Sequence, residues 1–253
     1  NSAFELVGTR GWLRGFGNLL GNELAAWWKT RMWGVMCLLW SILTVAVLDL
    51  WEDADRGFSL MMFSQLAGVF QAVGVVVIMQ GVLVGEKVDG RSAWILSRPV
   101  TRTAYILSKL AAYSLGVLVT MVLLSGAILY AAWLVRGVTI SRPIPFLEGL
   151  GVISLSHLWY MTLTLMLAAL FNNRIVILGI SVGLLALSEN LVRLPLLGTI
   201  LPWNLTVTGE QSCVFALLSG HSIQSAIPNL VAVGVGCILF VLIALWRFNR
   251  LEL

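Results

Sequence analysis

Few side chains in the long apolar runs of this sequence could carry chemistry. His157 lies within one such run and Glu189 near the end of another, and ionisable groups there can form a gate, a proton relay or a substrate path. Each also has an ordinary reading. His157 can link helices by a hydrogen bond, and Glu189, four residues before Arg193, has the spacing of a helical salt bridge. Glu23 projects from the apolar side of an amphipathic stretch, where an ionised carboxylate needs a partner. Lys29 or Arg31 could serve, or a basic residue elsewhere in the chain. Neither GxxxxGK[ST] nor HExxH occurs, so the chain has no phosphate-binding loop or zinc-protease helix motif. Cys37 and Cys237 fall in apolar runs and Cys213 stands alone, which gives neither a disulfide framework nor a metal-ligand spacing. The chain is therefore expected to bind no cofactor or metal and to hold no catalytic residue of its own.

Polar residues are dense in one place, GEKVDGRSAWILSRPVTRTAYILSK, from Gly85 to Lys109. Lys87, Arg91, Arg98, Arg102 and Lys109 outweigh Glu86 and Asp89 there, which marks a cytoplasmic loop in a membrane protein. Gly90 permits a turn, Arg91 to Ser97 can form a short helix displaying Trp94, Ile95 and Leu96, and Pro99 ends it. Thr101 then caps the next helix, with Val100 and Tyr105 placed as a hydrophobic staple. A short helix presenting apolar side chains between two spans suits the docking of a soluble partner. The alternative is that those side chains rest on lipid headgroups.

The elements that must hold this loop follow from composition. Of 253 residues 59% are hydrophobic and 11% charged, against about 25% charged in soluble domains, and the mean hydropathy is +0.93. The class is an all-α, polytopic membrane protein forming a single transmembrane domain over residues 1–253. An amphipathic, Trp-rich helix over 12–29 is expected to lie flat at the membrane interface. Six spans follow, at 32–50, 60–84, 110–134, 146–171, 175–191 and 226–246, each long enough for a core of roughly 30 Å or close to it. Gln65, Gln71 and Gln80 in the second span share no face, which predicts scattered hydrogen bonds between helices. Asn172, Asn173 and Arg174 form a tight turn between the fourth and fifth spans. Residues 192–225, punctuated by Pro and Gly, are read as an outer cap of short helices. The GxxxG spacings Gly81 to Gly85 and Gly179 to Gly183 would let helices approach closely.

Orientation follows from the basic residues. Arg10, Arg14, Lys29, Arg31, Lys87, Arg91, Arg98, Arg102, Lys109, Arg174, Arg247 and Arg250 fall on one side, twelve in all, against Arg56, Arg136, Arg142 and Arg193 on the other. This predicts that both termini and the central loop are cytoplasmic. The net charge of +4 is thereby explained by topology, and nucleic acid is not expected as a partner.

The loop resembles that of ABC-2 type transporter permeases, membrane subunits of bacterial ABC exporters. The likeness rests on Glu86, Asp89-Gly90, Ile95-Leu96-Ser97-Arg98-Pro99-Val100, Arg102 and Ile106-Leu107-Ser108-Lys109. Asn22-Glu23-Leu24 with Lys29-Thr30-Arg31 is similar to that family's interfacial elbow, and Arg247-Phe248-Asn249-Arg250 to its basic tail. Arg91, Ser108 and Asn22 depart from the pattern, where Thr, Gly and a basic residue are usual. The resemblance implies a permease half in the bacterial cytoplasmic membrane that pairs with a second half, identical or different, and with two ATPase subunits carrying ATP and Mg. Glu86, Asp89, Gly90, Arg91, Trp94, Leu96, Arg98, Pro99 and Arg102 would then belong to the main ATPase-coupling loop, and Asn172 to Arg174 to a minor contact. Glu23 would belong to the elbow. The cargo would be hydrophobic or amphipathic. The rival readings are a stand-alone secondary transporter and an intramembrane enzyme, for which His157 and Glu189 would be the residues of interest.

Overall fold

A computed structural model describes residues 11–49, 56–88, 100–136 and 142–250, and the described residues form helices and turns without a strand. Helix α1 is Phe16–Lys29, and Arg31, in a left-handed conformation at φ 54°, turns the chain into α2, Met32–Asp49. Helix α3 runs over 56–88 with a π turn at Leu66–Phe70. Helix α4, Arg102–Val135, holds a second π turn at Leu118–Leu124. Helices α5, Pro143–Leu170, and α6, Arg174–Leu191, follow. The short helices α7, Pro195–Ile200, α8, Trp203–Thr206, and α9, Cys213–Leu218, lead to α10, Ile227–Asn249.

Helices α3, α4, α5, α6 and α10 are each long and apolar enough to cross a membrane, while the corresponding stretch of α2, Trp33–Ala46, is shorter. This is the architecture of a multi-pass membrane protein. Helix α5 is its axis. It is apolar on every side, and 78% of its most apolar window is buried, against 22% for α6 and 11% for α10, as expected of a helix enclosed by others. It packs chiefly on α10 and α3. The outward faces of α10 and α2 carry Val231, Val235, Ile238 and Leu242, and Val35, Leu38 and Ile42, all exposed. Those surfaces suit hydrocarbon.

The two ends of the bundle are built differently. At one end α7, α8 and α9 form a cap. Gly68, in the π turn of α3, lies under Thr206, and Gly149 of α5 meets Leu218 and Val214. Beneath the cap Phe63 stacks on Phe146 at 5.9 Å while Trp133 meets Phe146 edge-on at 5.9 Å, so aromatic packing joins α3, α4 and α5. Halfway down, the Gln71 side-chain amide of α3 donates to the Met121 carbonyl in the π turn of α4 at 3.1 Å. The other end gathers basic side chains.

Helix α1 packs against the bundle. It lies alongside the first half of α4 and runs the same way: the Thr101 amide donates to the Arg14 carbonyl at 3.2 Å, Glu23 meets Lys109, and Trp27 covers Gly116. A Cβ on Gly116 would sit 2.6 Å from the Trp27 ring, so only glycine allows this approach. Trp27 is buried in this contact, while Trp28, and Trp12 and Leu13 before the helix, stay exposed. Helix α4 starts at Arg102, as the expected cap at Thr101 requires, with Thr101 accepting from the Ala104 amide at 3.2 Å. The expected short helix with Asp89, Gly90, Arg91, Trp94, Leu96, Arg98 and Pro99 lies outside the described residues. Of the four GxxxG glycines, Gly81, Gly179 and Gly183 have open space where a Cβ would be, and Gly85 faces the Arg174 guanidinium.

Candidate functional site

Lys109 stands on the side of α4 that faces both α1 and the end of α3, among Ala104, Ile106 and Ala112, all buried. An ammonium buried there alone would cost several kcal/mol in lost hydration. Two carboxylates offset that cost. Lys109 Nζ donates to Glu23 Oε1 of α1 at 2.6 Å and to Glu86 Oε1 of α3 at 2.8 Å. The lysine side chain is 1% exposed while the carboxylates are 18% and 21% exposed, so water shares the excess negative charge. The Tyr105 hydroxyl, one turn before Lys109, donates to Glu86 Oε2 at 2.5 Å, and its ring lies 5.2 Å from the ammonium. One cation therefore ties three helices through charge-assisted bonds.

Two further cations work beside it. Lys87, next to Glu86, donates to the Ala168 carbonyl at 2.7 Å and the Ala169 carbonyl at 3.4 Å, where α5 ends, and to Asn172 Oδ1 at 3.4 Å. Arg102 Nη1 donates to the Phe248 and Asn249 carbonyls at 3.3 and 3.0 Å, where α10 ends. The last carbonyls of a helix lack partners within it and carry the negative end of its dipole, so both contacts satisfy a physical need. Phe248, buried to 1% exposure, is wedged between them. Its ring stacks on Tyr105 at 5.5 Å and lies 5.9 Å from Lys87 Nζ.

The turn between α5 and α6 belongs to the same end. Asn173 caps α6, its Oδ1 accepting from the Ile175 amide at 2.9 Å, Asn172 receives Lys87, and Arg174 lies over Gly85. Glu23, Glu86, Arg102, Asn172, Asn173 and Arg174, chosen from the sequence, are thus brought to one end of the bundle. Lys109, Tyr105 and Lys87 complete the arrangement, and sequence reasoning gave none of them this role. The available signal was a lysine in an apolar helix, which requires a nearby carboxylate.

The remaining candidates lie elsewhere. His157, fully buried in α5, has Nδ1 at 2.8 Å from the Ile153 carbonyl, which makes Nδ1 the protonated nitrogen. Its Nε2 has no partner among the described residues. Glu189 and Arg193 are both exposed and no ion pair among the described residues joins them. The i,i+4 geometry is lost because α6 ends at Leu191, before Arg193 and the proline at 195. No hydrogen bond among the described residues joins Glu189 to His157, and no group of three or more His, Cys, Asp or Glu residues is placed to hold a metal ion among them.

The cluster's hydrogen bonds and ion pairs join α1, α3 and α4. A shift of α1, α3 or α4 by more than a fraction of a hydrogen-bond length breaks a bond to a desolvated cation. Residues 34–253 match the family described as Protein of unknown function (DUF2705), and the chain belongs to that family. No curated protein is significantly similar to it in sequence.

Proposed function

We propose that the chain is the membrane-spanning subunit of an ABC-2 type ATP-driven exporter for a hydrophobic or amphipathic cargo. In this reading α2, α3, α4, α5, α6 and α10 are six spans in a bacterial inner membrane, both termini are cytoplasmic, and the basic end faces the cytoplasm. A second permease half, identical or different, and two ATPase subunits with ATP and Mg complete the transporter.

The observation that carries the reading is the double anchorage around residues 89–99. Glu86 and Lys87 fix the chain before that segment to α1, α4 and α5, and Thr101 and Arg102 fix it afterwards to the start of α1 and the end of α10. A force applied by a soluble subunit to a loop so held reaches four helices at once. Movement of the ATPase subunits on binding ATP would then shift the permease half as a body. ATP binding drives that shift only if the contact at the loop is stronger in one conformation than in the other.

A stand-alone secondary transporter is the second reading, and the unpartnered Nε2 of buried His157 favours it. Purification of the tagged protein in mild detergent, with identification of what accompanies it and an assay of vanadate-sensitive ATP hydrolysis, separates the two. A stoichiometric soluble ATPase lost on Trp94→Asp and Leu96→Asp supports the exporter. A lone protein without hydrolysis, from a preparation shown by cross-linking before solubilisation to have had no partner, overturns it.

A further inference from the structure

Beside the charge cluster a cavity of about 290 Å³ opens between α1, α2, α3 and α4, lined by Ala26, Trp27, Thr30, Met36, Ile78 and Tyr113. Its mouth is formed by Ala26 and Thr30, which are exposed, and its inner wall by Trp27, which is 8% exposed. The Trp27 indole N–H has no hydrogen-bond partner among the described residues, although a buried donor left unpaired is costly. The size lies at the lower edge of small-molecule sites, roughly 300–1,000 Å³. That suits one bent acyl chain with a polar group at its end.

The charges that flank Thr30 in the chain point to the class of ligand. Thr30 stands between Lys29 and Arg31, both exposed, and the nearest carboxylate on α1, Glu23, is engaged by Lys109. Arg31 holds a left-handed backbone conformation, φ 54°, that glycine adopts more easily; an arginine there keeps a cation at the turn despite the strain. The aromatic pair Trp28 and Trp33, with rings 5.0 Å apart, stands at the same junction, as aromatic residues do at headgroup level.

We propose that this cavity holds one acyl chain of an anionic phospholipid, with the headgroup phosphate bound by Lys29 and Arg31 and the chain lying against Trp27, Met36 and Ile78. The lipid fills the space between α1 and the spans and so braces the contact of α1 with α4 one turn beyond Lys109. This site requires only that the protein sits in a membrane, and it stands or falls independently of an ATPase partner.

The test uses the purified full chain, delipidated and titrated with palmitoyl-oleoyl phosphatidylglycerol or with phosphatidylcholine of the same chains, bound lipid being counted by native mass spectrometry. Wild type should hold one phosphatidylglycerol per chain with about 30-fold preference over phosphatidylcholine, the sum expected for two basic side chains at a surface. Lys29→Gln with Arg31→Gln should remove that preference while a chain is still bound. Ala26→Trp, which fills the mouth from the exposed side, should abolish binding of both lipids. Equal binding of the two lipids by wild type overturns the assignment. So does undiminished phosphatidylglycerol binding by Ala26→Trp.

Discussion

Lys109 and Glu23 stand 86 positions apart in the chain and 2.6 Å apart in space, and their contact fixes α1 to α4. Replacing the lysine by methionine removes the cation from between Glu23 and Glu86 and leaves two carboxylates facing one another. Loss of one partner of a buried pair costs roughly 3–5 kcal/mol, and the partial exposure of both carboxylates places the expected cost at the low end. Thermal unfolding in detergent should show a clear drop for Lys109→Met and a smaller one for Glu23→Gln, because Glu86 still pairs with the lysine in the second variant. Equal stability of Lys109→Met and wild type would show that the junction contributes nothing.

Arg102 holds the end of α10 through two carbonyls. Hydrogen bonds from a charged donor are worth about 1.5–3 kcal/mol, less where solvent reaches them. Arg102→Ala should therefore loosen the last turn of α10, and amide exchange over residues 244–250 should accelerate while exchange in α5 stays slow. Unchanged exchange in α10 would mean that Tyr105 stacking on Phe248 suffices.

A side chain larger than hydrogen at Gly116 must displace the Trp27 ring. Gly116→Val should part α1 from α4 and make α1 a substrate for limited proteolysis, cleaved within 16–29 before the spans are touched. Persistent protection of α1 would indicate that it is held from its other end, where Val100 packs on Gly15.

How much of this was legible beforehand depended on the range of the interaction. Helix positions follow from local apolar periodicity, and the cap on α4 follows from Thr101 because its hydroxyl meets an amide three residues on. Glu23 was marked as needing a partner, since a carboxylate on an apolar side does so in any fold. Which cation it would find was not legible, because contacts across 86 positions depend on how helices pack. The packing of α1 on α4 was not legible for the same reason: an amphipathic helix needs an apolar surface, and a neighbouring helix and a bilayer both provide one. The Glu189 and Arg193 spacing misled because the helix ends between them.

Cys213, in the cap, has its thiol pushed up to about 11 by burial, and it is 2% exposed. The reactive thiolate is favoured only as pH approaches that value, so the thiol remains protonated throughout the neutral range. N-ethylmaleimide at pH 7 should leave Cys213 unmodified in the folded protein and label it once the protein is denatured, as read by peptide mass. Ready labelling of Cys213 in the folded state would show that the cap opens.

If the loop couples the chain to an ATPase, Arg98→Glu together with Arg102→Glu should leave membrane insertion intact and abolish stimulation of ATP hydrolysis by cargo. Hydrolysis measured in vesicles with each variant checks this. Normal stimulation would remove these two arginines from the coupling surface.

The π turns at Leu66–Phe70 and Leu118–Leu124 lie one in each of α3 and α4, the helices on either side of residues 89–99. Each π turn spans one residue more than the α turn it replaces, which makes it a stored increment of about 1.5 Å, the rise of a single residue. Letting that increment migrate by a turn would slide one half of a helix past its neighbours while the other half stays in register.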